Sequence, residues 1–367
     1  MSEINIAACR ARQKRVVELM EKLKLDVVIV SKHEHVQYLA GPRFAWTHEP
    51  AAALWADGTL ALVAPNEIPP VAAADEVATY EAQWRCTLRN DQRQASSDVL
   101  WKVLETKKQP QRIGVEFSCF SHHLSNRFDA KKLVDIEPSL FRLRRRKDED
   151  ELVRLRLAIA ATGKMYEHAR SILEPGINEL EVFNQLQAVA VTELGEMLTG
   201  TGNDYRSGEP GGPPRNRKAE DGELYILDLG PAYQGYFADN CRTFAVNDQP
   251  TDAQCKAWEH LMPVFDMVAE HVRPGKSCKE FFELVKKYLD EYKPGAFFHH
   301  LGHGIGLFPH ETPHLNSDWD DTFEIGDVFT CEPGLYTPEL RAGIRLENDY
   351  LVTPKGVELL SPFPMHL

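Results

Sequence analysis

Residues 222–230 read GELYILDLG, and residues 326–334 read GDVFTCEPG. Both segments open with glycine and an acid, continue through apolar residues, and place a carboxylate two residues before a second glycine. A Pro-Gly pair, followed at equal spacing by glutamate and phenylalanine, precedes each segment, in residues 175–183 and 274–282. This internal repeat predicts an α/β (α+β) domain of two pseudo-symmetric halves, each with two helices followed by a β-hairpin. We expect the hairpins to join in a curved, mainly antiparallel sheet with the helices outside.

Four acids fall at corresponding places on these hairpins. Asp228 and Glu332 lie on the first strands, and Asp239 and Glu347 lie on their partner strands. Symmetry would bring the four carboxylates face to face, where they repel one another unless cations neutralise them. The pattern therefore predicts two divalent metal ions.

A histidine-rich segment, FHHLGHGIGLFPHE at residues 298–311, lies between the hairpins. Histidine readily binds a metal or moves a proton near neutral pH, and glycine lets the backbone approach a ligand. A polar loop without chemistry is the alternative for this segment alone, and an ion-pair network with Arg242 and Arg345 is the alternative for the four acids. Two arginines do not balance four carboxylates, and that network leaves the histidines unexplained. Carboxylates with an imidazole suit Mn, Co, Fe or Zn more than a soft metal.

The composition is that of an ordinary globular protein. A chain of 367 residues is long enough for two domains. The net charge of -13 argues against a nucleic-acid partner and against an anionic membrane surface. Seven cysteines, none spaced as CxxC, indicate reduced thiols. No signal-peptide pattern and no apolar run of ~18 residues occurs, so we expect a cytoplasmic protein.

The first part of the chain alternates helix and strand signals, which predicts an α/β domain at 1–143. A helical pattern precedes residue 24, strands are predicted at 25–30, 113–117 and 133–136, and a hairpin at 51–65 turns at Asp57-Gly58. We find no group of residues there that suits chemistry. His33, His35 and His48 are scattered, so we interpret them as surface or locally bonded histidines.

A run of charge marks the boundary to a second domain at 148–367. The basic residues 142–147 followed by acids at 148–151 predict a solvated linker that leads into a helix with an acidic first turn. A second helix is predicted at about 179–193, and a long loop at 198–221, which is rich in glycine, proline and charge.

The order Asp228, Asp239, His303, Glu332 and Glu347, in the settings ILDLG, FADNCRTF, HHLGHGIGL, CEPGLY and IRLEND, resembles the metal-ligand series of the pita-bread metallopeptidases. That family includes Xaa-Pro aminopeptidase, prolidase and methionine aminopeptidase. The resemblance covers residues 145–367, and the first 140 residues are similar to the N-terminal domain of the creatinase and Xaa-Pro branch. It implies that Asp228 binds one metal and that His303 and Glu332 bind the other. Asp239 and Glu347 would bridge the two ions.

The resemblance also implies the reaction. Two adjacent divalent ions make a bridging hydroxide available near neutral pH and polarise the carbonyl of the scissile amide. Glu332 matches the general base, His310 a histidine that steadies the tetrahedral intermediate, and His299 one that contacts the substrate. Arg345 is similar to an arginine that orients the ligands. We therefore expect a hydrolase of short peptides, an Xaa-Pro aminopeptidase or dipeptidase, with manganese preferred over cobalt, zinc or iron.

For two histidines and for the oligomeric state, the sequence itself gives no direct signal. We assign no role to His300 or His314, and a homodimer follows from the resemblance alone. The N-terminal domain would restrict substrates or form dimer contacts.

One position departs from the family. Relatives usually carry a histidine 17 residues before the first metal aspartate, and here that position is Gly211. We expect Tyr205, Arg206 or Arg215 to occupy the vacated space. Two alternatives follow: a weakly catalytic or non-catalytic protein that binds a peptide or small molecule, or an amidinohydrolase like creatinase.

Overall fold

The hairpin predicted at Asp57-Gly58 lies within a six-stranded sheet. The computed structural model describes residues 4–202 and 204–367, which form two compact units divided between Arg144 and Arg145. The elements of the first unit are α1 Ile6–Leu23, β1 Val27–Val30, α2 His33–Ala40, β2 Ala51–Trp55, β3 Leu60–Pro65, β4 Glu76–Tyr80, β5 Gln83–Trp84, β6 Thr87–Leu88, α3 Gln92–Glu105, β7 Ile113–Val115, α4 His122–Ser125, β8 Leu133–Asp135 and α5 Glu137–Arg145. The strand order in the sheet is β4-β3-β2-β1-β7-β8. Strands β1, β2 and β3 pair as antiparallel neighbours, and the other pairs are parallel.

The predicted strands of this unit are confirmed. All four residues of β1 are buried, as expected for a strand covered on both faces, which shows an apolar run without alternation. Leu54 lies opposite Leu60, so the chain turns at Asp57-Gly58. There the Asp57 side chain accepts hydrogen bonds from the backbone N–H and hydroxyl of Thr59.

His35 corrects the interpretation of the scattered histidines. His33 is bonded locally, with Nε2 3.2 Å from the Ala45 carbonyl oxygen. His35 is fully buried, and its Nδ1 lies 2.5 Å from Oε1 of Glu116. Glu116 also accepts a hydrogen bond from the Ser31 N–H at 2.7 Å. The prediction failed because the partner is 81 residues away in the sequence.

The basic run at 142–147 is not a solvated linker. Its first residues end α5, and both Arg145 and Lys147 are buried. Arg145 donates to both carboxylate oxygens of Asp327, at 2.9 and 2.6 Å, and Lys147 Nζ lies 3.0 Å from Glu311 Oε2. Acids more than 160 residues downstream thus neutralise these cations, which sequence proximity does not reveal.

The second unit contains the two predicted halves. Its first helix begins after Asp148 with a capping box to Glu151 and three acids in its first turn, as predicted. In the second half Pro263 starts a new helix at its first position and so divides the expected first helix in two. The first-half elements are α6 Glu149–Ile172, α7 Glu179–Leu194, β9 Asp204–Ser207, β10 Leu224–Leu229, β11 Ala232–Tyr233, β12 Tyr236–Phe237 and β13 Asn240–Ala245. The second-half elements are α8 Asp252–Leu261, α9 Pro263–His271, α10 Cys278–Leu289, β14 Gly302–Gly304, β15 Glu311–Leu315, β16 Val328–Cys331, β17 Gly334–Leu335, β18 Ile344–Arg345, β19 Asn348–Thr353 and β20 Gly356–Leu359.

The strands of this unit form the expected antiparallel arrangement, divided into two main sheets. One sheet has the order β13-β10-β9 and the other β15-β14-β16-β19-β20. The sheets meet where the Glu347 N–H donates to the Cys241 carbonyl at 3.0 Å. The predicted loop at 198–221 contains β9, which pairs with β10 and places Asp204 opposite Asp228. Among the described residues, no helix has both the length and the apolar character needed to cross a membrane.

Candidate metal centre

The ends of the paired strands bring the four predicted carboxylates together. Asp228 lies on β10, opposite Cys241. Asp239 and Glu347 each precede a strand by one residue, and Glu332 follows one. The side chains therefore converge where β10, β13, β16 and β19 begin or end.

Two groups of possible ligand atoms share one residue. Asp228, Asp239 and Glu347 offer oxygen atoms within 4.8 Å of one another, and so do His303, Glu332 and Glu347 with one atom each. Asp239 forms a further group with His303 and His310. Glu332 also forms a group with His299 and His300. Glu347 and Asp239 each belong to two groups, as residues that span two ions would, and so do His303 and Glu332, which link the histidines to the carboxylates.

The electrostatics of the site fit cations. Burial raises the pKa of Asp228 to about 6. It also raises the pKa values of Asp239 and Glu347 well above their ordinary values, and neighbouring carboxylates add to that rise. Glu347 Oε2 is buried and has no hydrogen-bond partner. Divalent ions would stabilise the ionised carboxylates and supply the missing partner.

His303 presents a nitrogen lone pair to this cluster. Its Nδ1 lies 3.0 Å from the carbonyl oxygen of Gly304, which assigns the proton to Nδ1. Its Nε2 lies 3.5 Å from Asp239 Oδ2 and 3.6 Å from Glu332 Oε1. Burial lowers the pKa of His303 to about 3, so the imidazole is neutral and suited to metal binding.

His300, to which the sequence assigned no role, contacts the predicted general base. Its Nε2 lies 3.1 Å from Glu332 Oε1. Burial alone would lower the pKa of His300, but the interaction with Glu332 raises it above the ordinary value. His314 is a satisfied polar residue as predicted, because its Nδ1 lies 2.9 Å from Asp321 Oδ2.

The other two histidines line the same pocket. The His310 ring stacks on that of His303, with centroids 3.8 Å apart. The Lys147–Glu311 ion pair anchors the residue next to His310. His299 Nε2 lies 3.0 Å from the Tyr336 hydroxyl, and burial lowers the pKa of His299 to about 4.

Arg345 connects the ligands to groups that the sequence did not single out. Its Nη2 donates to Asp228 Oδ2 at 2.9 Å and also to Asp204. Its Nη1 donates to the Tyr336 hydroxyl at 3.0 Å and to the Pro210 carbonyl at 3.2 Å. Arg345 therefore holds Asp228 by a direct hydrogen bond, which is the contact that the implied orienting role requires.

The expectation for the space beside Gly211 was wrong. Tyr205 is buried against Phe183, and Arg215 pairs with Glu179. Arg206 donates to the Pro213 carbonyl at 3.0 Å. The group that faces Gly211 is the carboxylate of Asp204.

These residues line one cavity of about 360 Å³. The lining includes four residues that were not predicted as site residues from the sequence: Asp204, Pro210, Phe298 and Tyr336. No pattern marked Asp204, because it lies in a segment read as a loop, whereas Tyr336 does fall within the quoted CEPGLY motif. The lining is Asp204, Pro210, Gly211, Asp228, Asp239, Phe298, His299, His300, His303, His310, Glu332, Tyr336, Arg345 and Glu347.

Comparison with known families decides the assignment. A sequence profile of metallopeptidase family M24 matches residues 153–354. The chain belongs to metallopeptidase family M24. A second profile, of the creatinase/prolidase N-terminal domain, matches residues 12–145. This M24 metallopeptidase is therefore a hydrolase with a creatinase-like first domain and a pita-bread second domain, and its family implies divalent metal ions.

Several relatives of the M24 metallopeptidase are similar over most of its length. An uncharacterized peptidase from Staphylococcus epidermidis is 31% identical over 245 residues, which cover 65% of this chain and 69% of the relative. An Xaa-Pro dipeptidase from Pyrococcus horikoshii is 28% identical over 357 residues, or 95% of this chain and 96% of the relative. The structure of an Xaa-Pro dipeptidase from Bacillus anthracis matches with a TM-score of 0.83 at 23% identity, covering 98% of this chain and 99% of the other. The last comparison supports the fold.

Proposed function

We propose that this chain is a dinuclear metallohydrolase that cleaves Xaa-Pro bonds in short peptides, as an aminopeptidase or dipeptidase. The observation that carries the proposal is the sharing of Glu347 between two ligand groups at one cavity. Two bound divalent ions would supply hydroxide near neutral pH and polarise the carbonyl under attack.

Each residue then has a role that its contacts support. Asp228 would hold one ion, His303 and Glu332 the other, and Asp239 and Glu347 both. Glu332 Oε1 would take the proton of the attacking water, and His300 Nε2, 3.1 Å away, would keep that carboxylate in place.

The remaining two histidines and Arg345 act around the scissile bond. His310 would donate to the developing oxyanion. His299, held by the Tyr336 hydroxyl, would contact the substrate. Arg345 would keep Asp228 directed at its ion.

Further parts of the proposal concern the metal and the assembly. Manganese is the preferred ion, with cobalt, zinc or iron as alternatives, because the donors are carboxylates and one imidazole. We also propose domains at 1–143 and 148–367, and a homodimer. A cytoplasmic location is supported by seven free cysteines.

Gly211 is the reason for a second candidate function. In this second candidate, the loss of the histidine leaves a protein that binds a peptide or small molecule with little or no catalysis. The third possibility, a creatinase-like amidinohydrolase, gives no reason for five metal-ligand residue types to converge.

Metal analysis and a peptide panel test the proposal together. Protein purified without chelator should contain two divalent ions per chain and hydrolyse Xaa-Pro dipeptides only when loaded. Glu347→Ala should lose at least one ion and most of the activity, because a shared ligand is removed. The exposed Glu339→Ala is the matched control. Full occupancy in Glu347→Ala would contradict the site, and two bound ions without turnover of any peptide would favour the binding protein.

A further inference from the structure

Asp204 places a fifth carboxylate in the cavity, outside the proposed ligand set. It lies on β9 directly opposite Asp228, and its side chain is 17% exposed. Its Oδ1 accepts the Gly212 N–H at 2.6 Å, and its Oδ2 accepts from Arg345. The carboxylate is therefore held in one position by a backbone donor and a buried guanidinium.

The same carboxylate fills the room that a side chain at position 211 would need. A Cβ atom on Gly211 would lie 2.3 Å from Asp204 Oδ2. A side chain at position 211 and the Asp204 carboxylate would therefore compete for the same space. Because position 211 is glycine, the carboxylate occupies that part of the pocket.

This acid changes the charge balance of the cavity. The lining contains five carboxylates and one arginine. Without counting the histidines, the five carboxylates and one guanidinium carry four negative charges, which two divalent ions would balance in full, whereas the same lining without Asp204 would keep one positive charge. Arg345 is the single Lys or Arg side chain in that lining, and both of its terminal nitrogens already donate to protein groups. No arginine or lysine of this lining is therefore left to receive a carboxylate of the substrate.

We propose that Asp204 makes the cavity favour substrates that carry a free amino end and no carboxylate beside the scissile bond. This inference rests on the proposed peptide hydrolase function and narrows it to longer or amidated peptides over free dipeptides. The physical reason is that Asp204 cancels the one positive charge that the two ions and Arg345 would otherwise leave, so a substrate carboxylate meets no net attraction in this partly buried pocket.

The first experiment compares alanyl-proline with alanyl-proline amide. Wild-type protein loaded with manganese should show the higher kcat/KM for the amide. Asp204→Asn keeps the size of the side chain and removes its charge, so it should shift the acid-to-amide ratio of kcat/KM toward the free dipeptide by ~10-fold. Glu209→Gln makes the same charge change in the neighbouring loop outside the cavity, and its ratio should equal that of wild type.

A second experiment needs no turnover. Calorimetry measures binding of L-proline and L-prolinamide to the manganese-loaded proteins, whose metal content is determined in parallel. Wild type should bind prolinamide more tightly, and Asp204→Asn should reduce that preference while keeping two ions. Tighter binding of proline by wild type, an unchanged preference in Asp204→Asn, or loss of metal from that variant would overturn the proposal. If no peptide is cleaved but these preferences hold, the hydrolase function fails and the charge selection stands.

Discussion

At the scale of single residues, the pocket depends on one glycine and one acid that face each other. The distance of 2.3 Å between a Cβ at 211 and Asp204 Oδ2 leaves no room for any side chain at that position. Introducing at position 211 the histidine that the family resemblance led us to expect would therefore displace Asp204 and, through it, Arg345. A change at both positions is needed to compare this chain with histidine-bearing relatives.

We expect Gly211→Ala to destabilise the protein by about 1–3 kcal/mol, the usual cost of overpacking, because the new methyl group would crowd the Asp204 carboxylate. In an Asp204→Ala background the same change should cost less, because the clashing carboxylate is gone. Chemical denaturation of the four proteins in this double-mutant cycle gives the coupling. Equal costs in the two backgrounds would show that the residues do not interact.

At the scale of elements, Glu116 connects the end of β7 to the start of α2. It accepts from the backbone N–H groups of Ser31 and Lys32 and contacts buried His35. Burial alone would raise the pKa of Glu116, but the hydrogen bond and charge of His35 outweigh burial and lower it below 4.5. The ionised form is thus the one that stabilises this junction.

Glu116→Gln should lower the free energy of unfolding by about 3 kcal/mol near pH 7, because it leaves His35 without its charged partner. The folded pKa is lowered, so this contribution is present above the unfolded pKa of 4.5 and is lost as the pH falls through the folded value. The difference between wild type and variant should therefore shrink below about pH 4.5. Urea unfolding can follow the tryptophans of the first unit, which are Trp46, Trp55, Trp84 and Trp101.

A constant difference from pH 7 down to pH 3 would contradict the assigned charge of Glu116. Glu105→Gln, on an exposed end of α3, serves as a control that should show little change at any pH.

At the scale of the whole molecule, the chemistry is confined to one unit. Every group of acids and histidines that could hold a metal ion, among the described residues, lies in Arg145–Leu367. The described part of the first unit offers a sheet and the buried contact of His35 with Glu116 but no such group. Metal binding should therefore stabilise the second unit and leave the local stability of the first unit unchanged.

Adding manganese at 100 times its Kd should stabilise the second unit by about 2.7 kcal/mol for each bound ion, since the ions bind the folded state alone. Hydrogen exchange followed by mass spectrometry should show slower exchange in β10, β13, β16 and β19. Peptides from β1, β2 and β3 serve as the internal reference and should not change. Protection confined to the first unit, or absent from both, would place the metal elsewhere.

Much of this arrangement could be predicted from the linear order of residues. The repeat at 222–230 and 326–334 was sufficient to predict two related halves, because a duplicated segment keeps its strand pattern and its acids at matching places. The resemblance then predicted five ligand residues, and the structure brings Asp228, Asp239, His303, Glu332 and Glu347 to one cavity. Local signals such as Asp57-Gly58 and the capping box at Asp148 depend only on neighbours in the chain, so they could be predicted from the sequence.

The contacts that were not predicted from the sequence depend on packing between distant segments. Lys147 with Glu311, His35 with Glu116, and Asp204 with Arg345 are pairs separated by 164, 81 and 141 residues. Each pair exists because the fold brings a carboxylate and a nitrogen-bearing side chain together away from bulk water, where an unpaired polar group would be costly. The local sequence of either member does not identify its partner. The acid beside Gly211 could be recognised only when β9 was seen to pair with β10, since register between strands is a property of the folded chain.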